Sequence, residues 1–171
     1  MSKTKINRTS GNLYERDFHA WTKAQSQAIA ERRWTDVDAA NVAEEVRSLG
    51  LQVEREIEDR LEILLSYLLK WQLLAEYRGL AWKENITRQR QELADLIAEN
   101  PILTEKKEKF LAEVYGHARM RLKFETYFFH TDFPPSCPFT VGQVFDSDYF
   151  PEELDAPAPA GAFPTARSIG R

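Results

Sequence analysis

The chain has 171 residues, of which 43% are hydrophobic and 29% are charged. This composition is typical of one soluble globular domain, and the net charge of −4 excludes the overall basic excess that marks many nucleic-acid-binding proteins. The single cysteine, Cys137, excludes an internal disulfide, and no apolar run approaches the roughly 18 residues of a membrane span. We expect a cytoplasmic protein without membrane contact, because the first residues also lack a signal-peptide core.

The predicted organisation is one domain between two polar ends. Residues 1–11 are short and basic and are predicted to be a disordered arm, whereas residues 155–171 form an Ala/Pro/Gly-rich tail that we also predict to be disordered. The domain between them covers residues 12–154. Its first predicted helix begins with Asn12 as N-cap and ends near Arg33, and Thr35 or Asp36 can cap the next helix.

The central predicted helix begins near Val37 and carries one long apolar stripe. Steps of three and four residues connect its members, as expected for one helix face: Val46, Leu49, Val53, Ile57, Leu61, Leu64, Leu68 and Trp71. Gly50 interrupts the stripe, so the helix either breaks there or continues and admits a close neighbour. The unshifted register favours continuity. We predict its end near Arg78, with Gly79 as the C′ residue.

Two more long helices and a proline-rich segment follow. The apolar spacing predicts helices over residues 80–99 and 104–129. From about residue 130 the chain has several prolines and aromatic residues but only one short predicted helix, Val141 to Phe145, capped by Thr140. Aromatic side chains favour apolar grooves, so this segment is predicted to wrap the bundle. The predicted fold is all-α, with about five helices around one long central helix and a Pro-rich C-terminal strap.

No strong enzymatic motif is present, and the weak catalytic candidates are Glu44, Glu45 and Lys70. About seven helical turns, or roughly 40 Å, separate the glutamates from the lysine on one straight helix. A common site would therefore need residues from neighbouring helices. The alternative is that each group forms a structural ion pair of its own.

Basic residues on the two last long helices are candidates for binding a partner or an anion. They are Arg88, Arg90, His117, Arg119, Arg121 and Lys123. If the helices are neighbours, these side chains form a surface that could bind phosphate or nucleic acid. One alternative is a solvated face. Another is a surface to which the acidic strap binds, since residues 132–155 carry six acids and no base.

Metal and thiol chemistry have little support in the sequence. Glu113 and His117 are four residues apart on one helix and could approach one ion, but a full site needs further ligands. We therefore expect no metal site and no cofactor. Cys137 lies between prolines without a nearby base, which indicates an inert buried thiol.

Six stretches in order resemble a bacterial domain of unknown function, the family catalogued as number twenty-nine. They are LYERDF with Trp21, NVAEEV with Ser48-Leu49-Gly50, LLSYLLKWQ, Trp82 with Ile86 and Gln89-Arg90, Tyr115 with Ala118-Arg119, and Phe133-Pro134 with Cys137-Pro138. The resemblance covers roughly residues 12–151 and implies a helical, cytoplasmic bacterial protein without an established activity. It also implies that Glu44 or Glu45, Lys70, Arg90 and Arg119 could form one polar group. Members often have histidine where this chain has Tyr67.

The leading functional hypothesis is a non-enzymatic protein-interaction or regulatory protein, because no catalytic motif accompanies the long helices and the strap. Its partner is expected to be a protein, either a second copy or another chain. One alternative is association with nucleic acid through the basic helices. Another is a small hydrolase or nuclease that uses Glu44 and Glu45 with basic partners.

Overall fold

The computed structural model describes residues 9–125 and 133–152, with side chains from Leu13 onward. Within these residues the chain is helical and has no β-strand, which confirms the predicted all-α class. Short 3₁₀ turns occupy Trp34–Asp36, Ala75–Tyr77 and Pro101–Lys106. The α-helices are α1 (Thr9–Arg16), α2 (Phe18–Ala30), α3 (Ala39–Leu73), α4 (Leu80–Glu99), α5 (Lys107–Phe124) and α6 (Val141–Phe145).

The chain divides into two compact units, Met1–Gln52 and Val53–Arg171, and α3 contributes to both. We call them the N-terminal and the C-terminal unit. The predicted single domain over residues 12–154 stays a prediction. Helix α1 begins at Thr9, inside the segment predicted to be a disordered arm, whereas residues 1–8 and the predicted disordered tail lie outside the described residues.

The N-terminal unit begins with two helices where the sequence predicted one. Asp17 separates them, because its side chain accepts a hydrogen bond from Ala20 N at 2.9 Å and so caps α2. The prediction of one helix from Asn12 to Arg33 was wrong for this reason. Helix α2 ends when Arg32 adopts a positive φ of 58°, which lets Arg33 N donate to Ala28 O at 2.8 Å.

Helix α3 is 35 residues long and passes through Gly50, so the prediction of continuity is confirmed. Asp38 supports its first turn, because one carboxylate oxygen accepts from the Asn41 side-chain amide at 2.7 Å. The predicted caps Thr35 and Asp36 lie instead in a 3₁₀ turn. The helix ends at Leu73, earlier than predicted, and Gly79 is the extended N-cap residue of α4 rather than a C′ residue.

One apolar core stabilises the C-terminal unit. It contains fully buried leucines of α3, in agreement with the predicted long central helix. Each such side chain contributes about 1.5–3 kcal/mol of hydrophobic stabilisation. The core members from the long helices are Ile57, Leu61, Leu64, Leu65, Leu68 and Leu69 of α3, Ile86, Leu93 and Ile97 of α4, and Phe110, Leu111, Val114, Tyr115, Ala118 and Leu122 of α5.

Residues 133–151, which we call the strap, complete this core. Phe133, Phe139 and Val144 are buried in it, and the rings of Trp71 and Phe150 lie 4.8 Å apart. The predicted α6 cap is confirmed as a capping box, because Thr140 and Gln143 bond each other's backbone amides at 3.2 and 2.9 Å. Helix α5 begins at Lys107 rather than Thr104. It ends at Phe124, earlier than the predicted Phe129, because its C-cap Glu125 is extended.

Candidate functional site

Lys70, a weak catalytic candidate, forms an ion pair within the C-terminal unit. Its Nζ lies 2.8 Å from Glu125 Oε1, and it also lies 5.1 Å from the centre of the Tyr67 ring. A partly buried lysine beside a carboxylate and an aromatic face is a common structural arrangement. The pair matches the structural alternative that the sequence left open.

Arg90 lies beneath the strap and is only 4% exposed. Its guanidinium donates from Nε to Val144 O at 2.8 Å, from Nη2 to Gln143 O at 3.1 Å and from Nη1 to Ser147 O at 3.4 Å. Two of these carbonyls belong to the last turn of α6, where a helix has unpaired acceptors and a partial negative charge. Burial lowers the pKa of Arg90, whereas the charge of Asp146 raises it. Arg90 therefore fastens the strap and is withdrawn from solvent.

Two further arginines on α5 also have partners within the C-terminal unit. Arg119 Nη1 donates to Pro135 O at 3.1 Å, and Arg121 Nη1 lies 3.2 Å from Glu62 Oε1. Tyr115, one turn before Arg119, donates its hydroxyl to Pro134 O at 2.9 Å. Arg119 and Tyr115 thus hold the beginning of the strap as Arg90 holds its end.

The other basic and metal candidates lie nearer the surface. Arg88 is exposed and its Nη2 donates to Asn85 Oδ1 at 2.5 Å, while His117 is exposed and Lys123 is half-buried. Glu113 lies 3.7 Å from Lys109 rather than in a ligand cluster. Within the described residues, no group of three or more His, Cys, Asp or Glu side chains is arranged to hold a metal ion.

The two glutamate candidates lie on the α3 segment of the N-terminal unit. Glu44 is exposed, whereas Glu45 is half-buried and accepts a hydrogen bond from the Tyr14 hydroxyl at 2.5 Å. This bond, together with desolvation and the charges of Glu45, Glu44 and Asp38, raises the pKa of Tyr14 to about 12. Glu45 therefore joins α3 to α1, which is a structural use of the side chain.

The same segment of α3 presents an apolar ridge to solvent. The ridge consists of Val42, which is half-buried, together with Val46 and Leu49, which are 63% and 61% exposed. Val46 and Leu49 begin the stripe that is fully buried from Ile57 to Leu68. A Cβ built on Gly50, next to Leu49, would meet no atom within 4 Å. The ridge is thus an open helix face with the spacing of a helix-packing seam.

The ridge is the candidate functional site. The spacing of its residues was visible in the sequence, but their exposure was not, because the pattern identifies an apolar face without showing what covers it. Sequence reasoning also missed Tyr14 as the partner of Glu45 and Glu125 as the partner of Lys70. No motif marked either pair, since hydrogen bonds and ion pairs between distant segments follow no fixed spacing.

The chain matches the model of a known family. The model of the family described as "Domain of unknown function DUF29" matches residues 13–150, so the chain belongs to this family, as the six stretches indicated. Comparisons with curated proteins and with solved structures gave no match. Among the described residues, no helix combines the length and apolar character needed to cross a membrane.

Proposed function

We propose that this member of the DUF29 family is a non-enzymatic protein-interaction protein whose α3 ridge binds an amphipathic helix of another polypeptide. The observation that carries the proposal is the exposure of Val46 and Leu49, at 63% and 61%, on a regular helix. A bundle core does not require these side chains, because the stripe already contributes four fully buried residues between Ile57 and Leu68. Covering them would remove apolar surface from water, at about 25 cal/mol per Å².

The spacing of the ridge specifies the kind of partner. Val42, Val46 and Leu49 are separated by four and three residues, which is the spacing by which one helix packs against another. Gly50 lacks a side chain at the edge of the ridge and has open space beside it, so a second helix can approach closely. A helix that carries its own apolar stripe fits this surface.

The polar candidate residues favour a non-enzymatic function, because they contact other groups of the same chain. Lys70, Arg90 and Arg119 contact Glu125, strap carbonyls and Pro135 O within the C-terminal unit, and Glu45 accepts from Tyr14. A side chain engaged in this way is less available for catalysis or phosphate binding. The hydrolase and nucleic-acid hypotheses have no specific contact in their favour and stay predictions.

The proposed setting is the cytoplasm of a bacterium. Its support is the single unpaired Cys137 together with the resemblance of the six stretches to a bacterial family. The partner helix belongs either to a second copy of this chain or to a different protein of the same cell.

Site-specific photo-crosslinking tests the proposal. The photoreactive amino acid p-benzoylphenylalanine replaces Leu49 in the full chain, which is irradiated both in host cells and as pure protein. We expect a discrete adduct with a polypeptide, and its mass shows whether the partner is a second copy. The double variant Val46→Lys, Leu49→Lys, examined by affinity capture of that partner, should weaken binding about tenfold or more, because it places two charges in the apolar contact.

The matched control is the double variant Ala40→Lys, Leu51→Lys. Both residues are exposed and, at 100° per residue, lie on the opposite side of α3 from the ridge. This variant adds the same charge to the same helix and should bind like the unmodified chain. Equal loss of binding in the two double variants, or no adduct from position 49, would refute the proposed site.

A further inference from the structure

The outer face of α4, in the C-terminal unit, carries a trough that is separate from the ridge. The trough has a volume of about 560 Å³ and follows mostly exposed residues of the helix from Leu80 to Glu92. Thr87 has a short side chain and lies, at 100° per residue, between the long side chains of Lys83 and Arg88. Leu80 is 72% exposed and provides apolar surface at one end. The trough therefore combines an apolar floor with a cation on either side.

The strap ends beside this trough. The carbonyl of Ser147 accepts from Arg90 Nη1 at 3.4 Å, and the ring centre of Phe150 lies 5.6 Å from Arg90 Cζ and 5.9 Å from Lys83 Nζ. The strap thus runs toward the N-terminal end of α4 and reaches one edge of the trough. Glu152 is exposed, so the chain emerges from the core at this point.

The next three residues of the sequence are Glu153, Leu154 and Asp155, which lie outside the described residues. An extended chain advances by at most about 3.6 Å per residue, so Leu154 is within roughly 14 Å of Phe150. The ring of Phe150 already contacts Lys83 at the edge of the trough. Leu154 can therefore reach the trough without any change in the strap.

The charges of this segment complement those of the trough. Side chains alternate in direction along an extended chain, so a leucine that faces the helix is flanked by two outward carboxylates. In the described part of the chain, neither Lys83 nor Arg88 has an ion pair with a carboxylate. The contacts that they make are with the Phe150 ring and the Asn85 side chain. Both cations are thus available to carboxylates that arrive from the end of the strap.

Tethering makes weak contacts sufficient. Exposed ion pairs are individually weak, and Glu84 in the trough opposes an acidic segment. The segment is joined to the strap by a link of very few residues, however, and a short link gives a local concentration in the millimolar range or above. Binding therefore needs only the modest attraction of one apolar contact and two ion pairs.

We propose that Glu153, Leu154 and Asp155 bind the α4 trough of their own chain. Leu154 contacts Thr87 and the exposed Leu80, and the two carboxylates pair with the cations at the edges. The strap is then longer than its described part and covers the outer face of α4, which closes this face to other polypeptides.

Paramagnetic relaxation enhancement in nuclear magnetic resonance of the full chain tests the proposal. A nitroxide is attached through Ala156→Cys, next to the segment, in a Cys137→Ala background so that only one thiol reacts. We expect the amide signals of Thr87 and Gln91 to broaden, because the label is held against α4. A mixture of ¹⁵N-labelled chain without nitroxide and unlabelled chain with nitroxide should show no broadening, since the contact is within one chain.

Charge variants separate binding from simple proximity. Glu153→Gln with Asp155→Asn should lower the enhancement at least about twofold, as should an increase in salt from roughly 0.02 to 0.5 M. Glu84→Gln removes the opposing carboxylate and should raise the enhancement. The matched control, Glu105→Gln with Glu108→Gln, removes the same charge from exposed residues outside the trough and should change nothing.

The outcomes are decisive for the assigned segment. Circular dichroism checks that each variant is folded. Absence of broadening, or an enhancement that neither salt nor the change at Glu153 and Asp155 reduces, would overturn the proposal. Equal reduction in the control variant would do the same, and broadening in the mixed sample would show that a second copy supplies the segment.

Discussion

The guanidinium of Arg90 donates through Nε to the carbonyl of Val144 at 2.8 Å, across 54 residues of sequence. Together with the bonds to Gln143 and Ser147, this contact places a buried cation at the C-terminal end of α6. Here the charge of the arginine and the dipole of a short helix stabilise each other. The strap is therefore fixed by main-chain acceptors rather than by its acidic side chains.

Replacing Arg90 should loosen the strap. Arg90→Lys keeps the charge but loses the planar fork, so at least one strap carbonyl loses its donor, and we expect the free energy of unfolding to fall by about 2 kcal/mol. Urea denaturation followed by circular dichroism measures the change, and proteolysis within the strap should become faster. Arg88→Lys is the control on the exposed side of α4 and should change stability by less than about 0.5 kcal/mol. Equal effects of the two changes would contradict the role of Arg90.

The bond between Tyr14 and Glu45 should make part of the stability of the chain depend on alkaline pH. The pKa of Tyr14 in the folded chain is about 12, above the ordinary value of 10.0, so the folded state favours the protonated phenol. The stabilisation is fully present below pH 10 and is lost as the pH rises toward 12. Unmodified chain and Tyr14→Phe should differ in thermal midpoint at pH 8 and converge near pH 12. A difference that is constant from pH 8 to pH 12 would show that another interaction causes it.

Truncation of two leucines in the same α3 stripe should change the stability of the chain by very different amounts. Leu68 is fully buried, so Leu68→Ala leaves a cavity and should lower the free energy of unfolding by about 3 kcal/mol. Leu49 is 61% exposed, so Leu49→Ala should change stability by less than about 0.5 kcal/mol. Urea denaturation of the two variants in parallel provides the comparison. A large loss for Leu49→Ala in dilute pure protein would show that the ridge is covered within the chain.

Cys137 should be a slow nucleophile in the folded chain. Burial raises the pKa of its thiol and outweighs a backbone hydrogen bond from Phe139, which lowers it, so less thiolate is present at pH 8. We expect the reaction with a chromogenic disulfide reagent to be more than about tenfold slower in buffer than in concentrated urea. Stopped-flow absorbance measures both rates, and similar rates would mean that the strap does not protect the thiol.

Periodicity in the sequence was sufficient to predict the helices of the C-terminal unit, because the leucines of α3 must be buried together. It could not show that Val46 is exposed and Ile57 is buried, since both residues belong to one stripe with one spacing. Their difference arises from what packs against each position, which is a property of the tertiary structure. Asp17 shows a related limit: one side-chain bond to Ala20 N ends a continuous apolar pattern.

The polar residues were harder to predict than the helices. Arg90 belongs to a cluster of basic residues in the sequence, and such clusters usually form a solvated surface. Its partners are main-chain carbonyls, which every residue has and which no sequence pattern marks. The sequence therefore identified Arg90 as a candidate binding residue, and docking of the strap was one of the alternatives. It could not distinguish this docking role from an anion-binding site.

The late position of the strap in the sequence affects how the C-terminal unit folds during translation. Arg90 is synthesised 53 to 57 residues before the carbonyls that accept its hydrogen bonds. During that interval the guanidinium must remain hydrated, and the places of Phe133, Phe139 and Val144 in the core are empty. A nascent chain that stalls before residue 143 would expose this apolar surface to chaperones and proteases. Completion of the C-terminal unit thus requires that translation has passed Ser147.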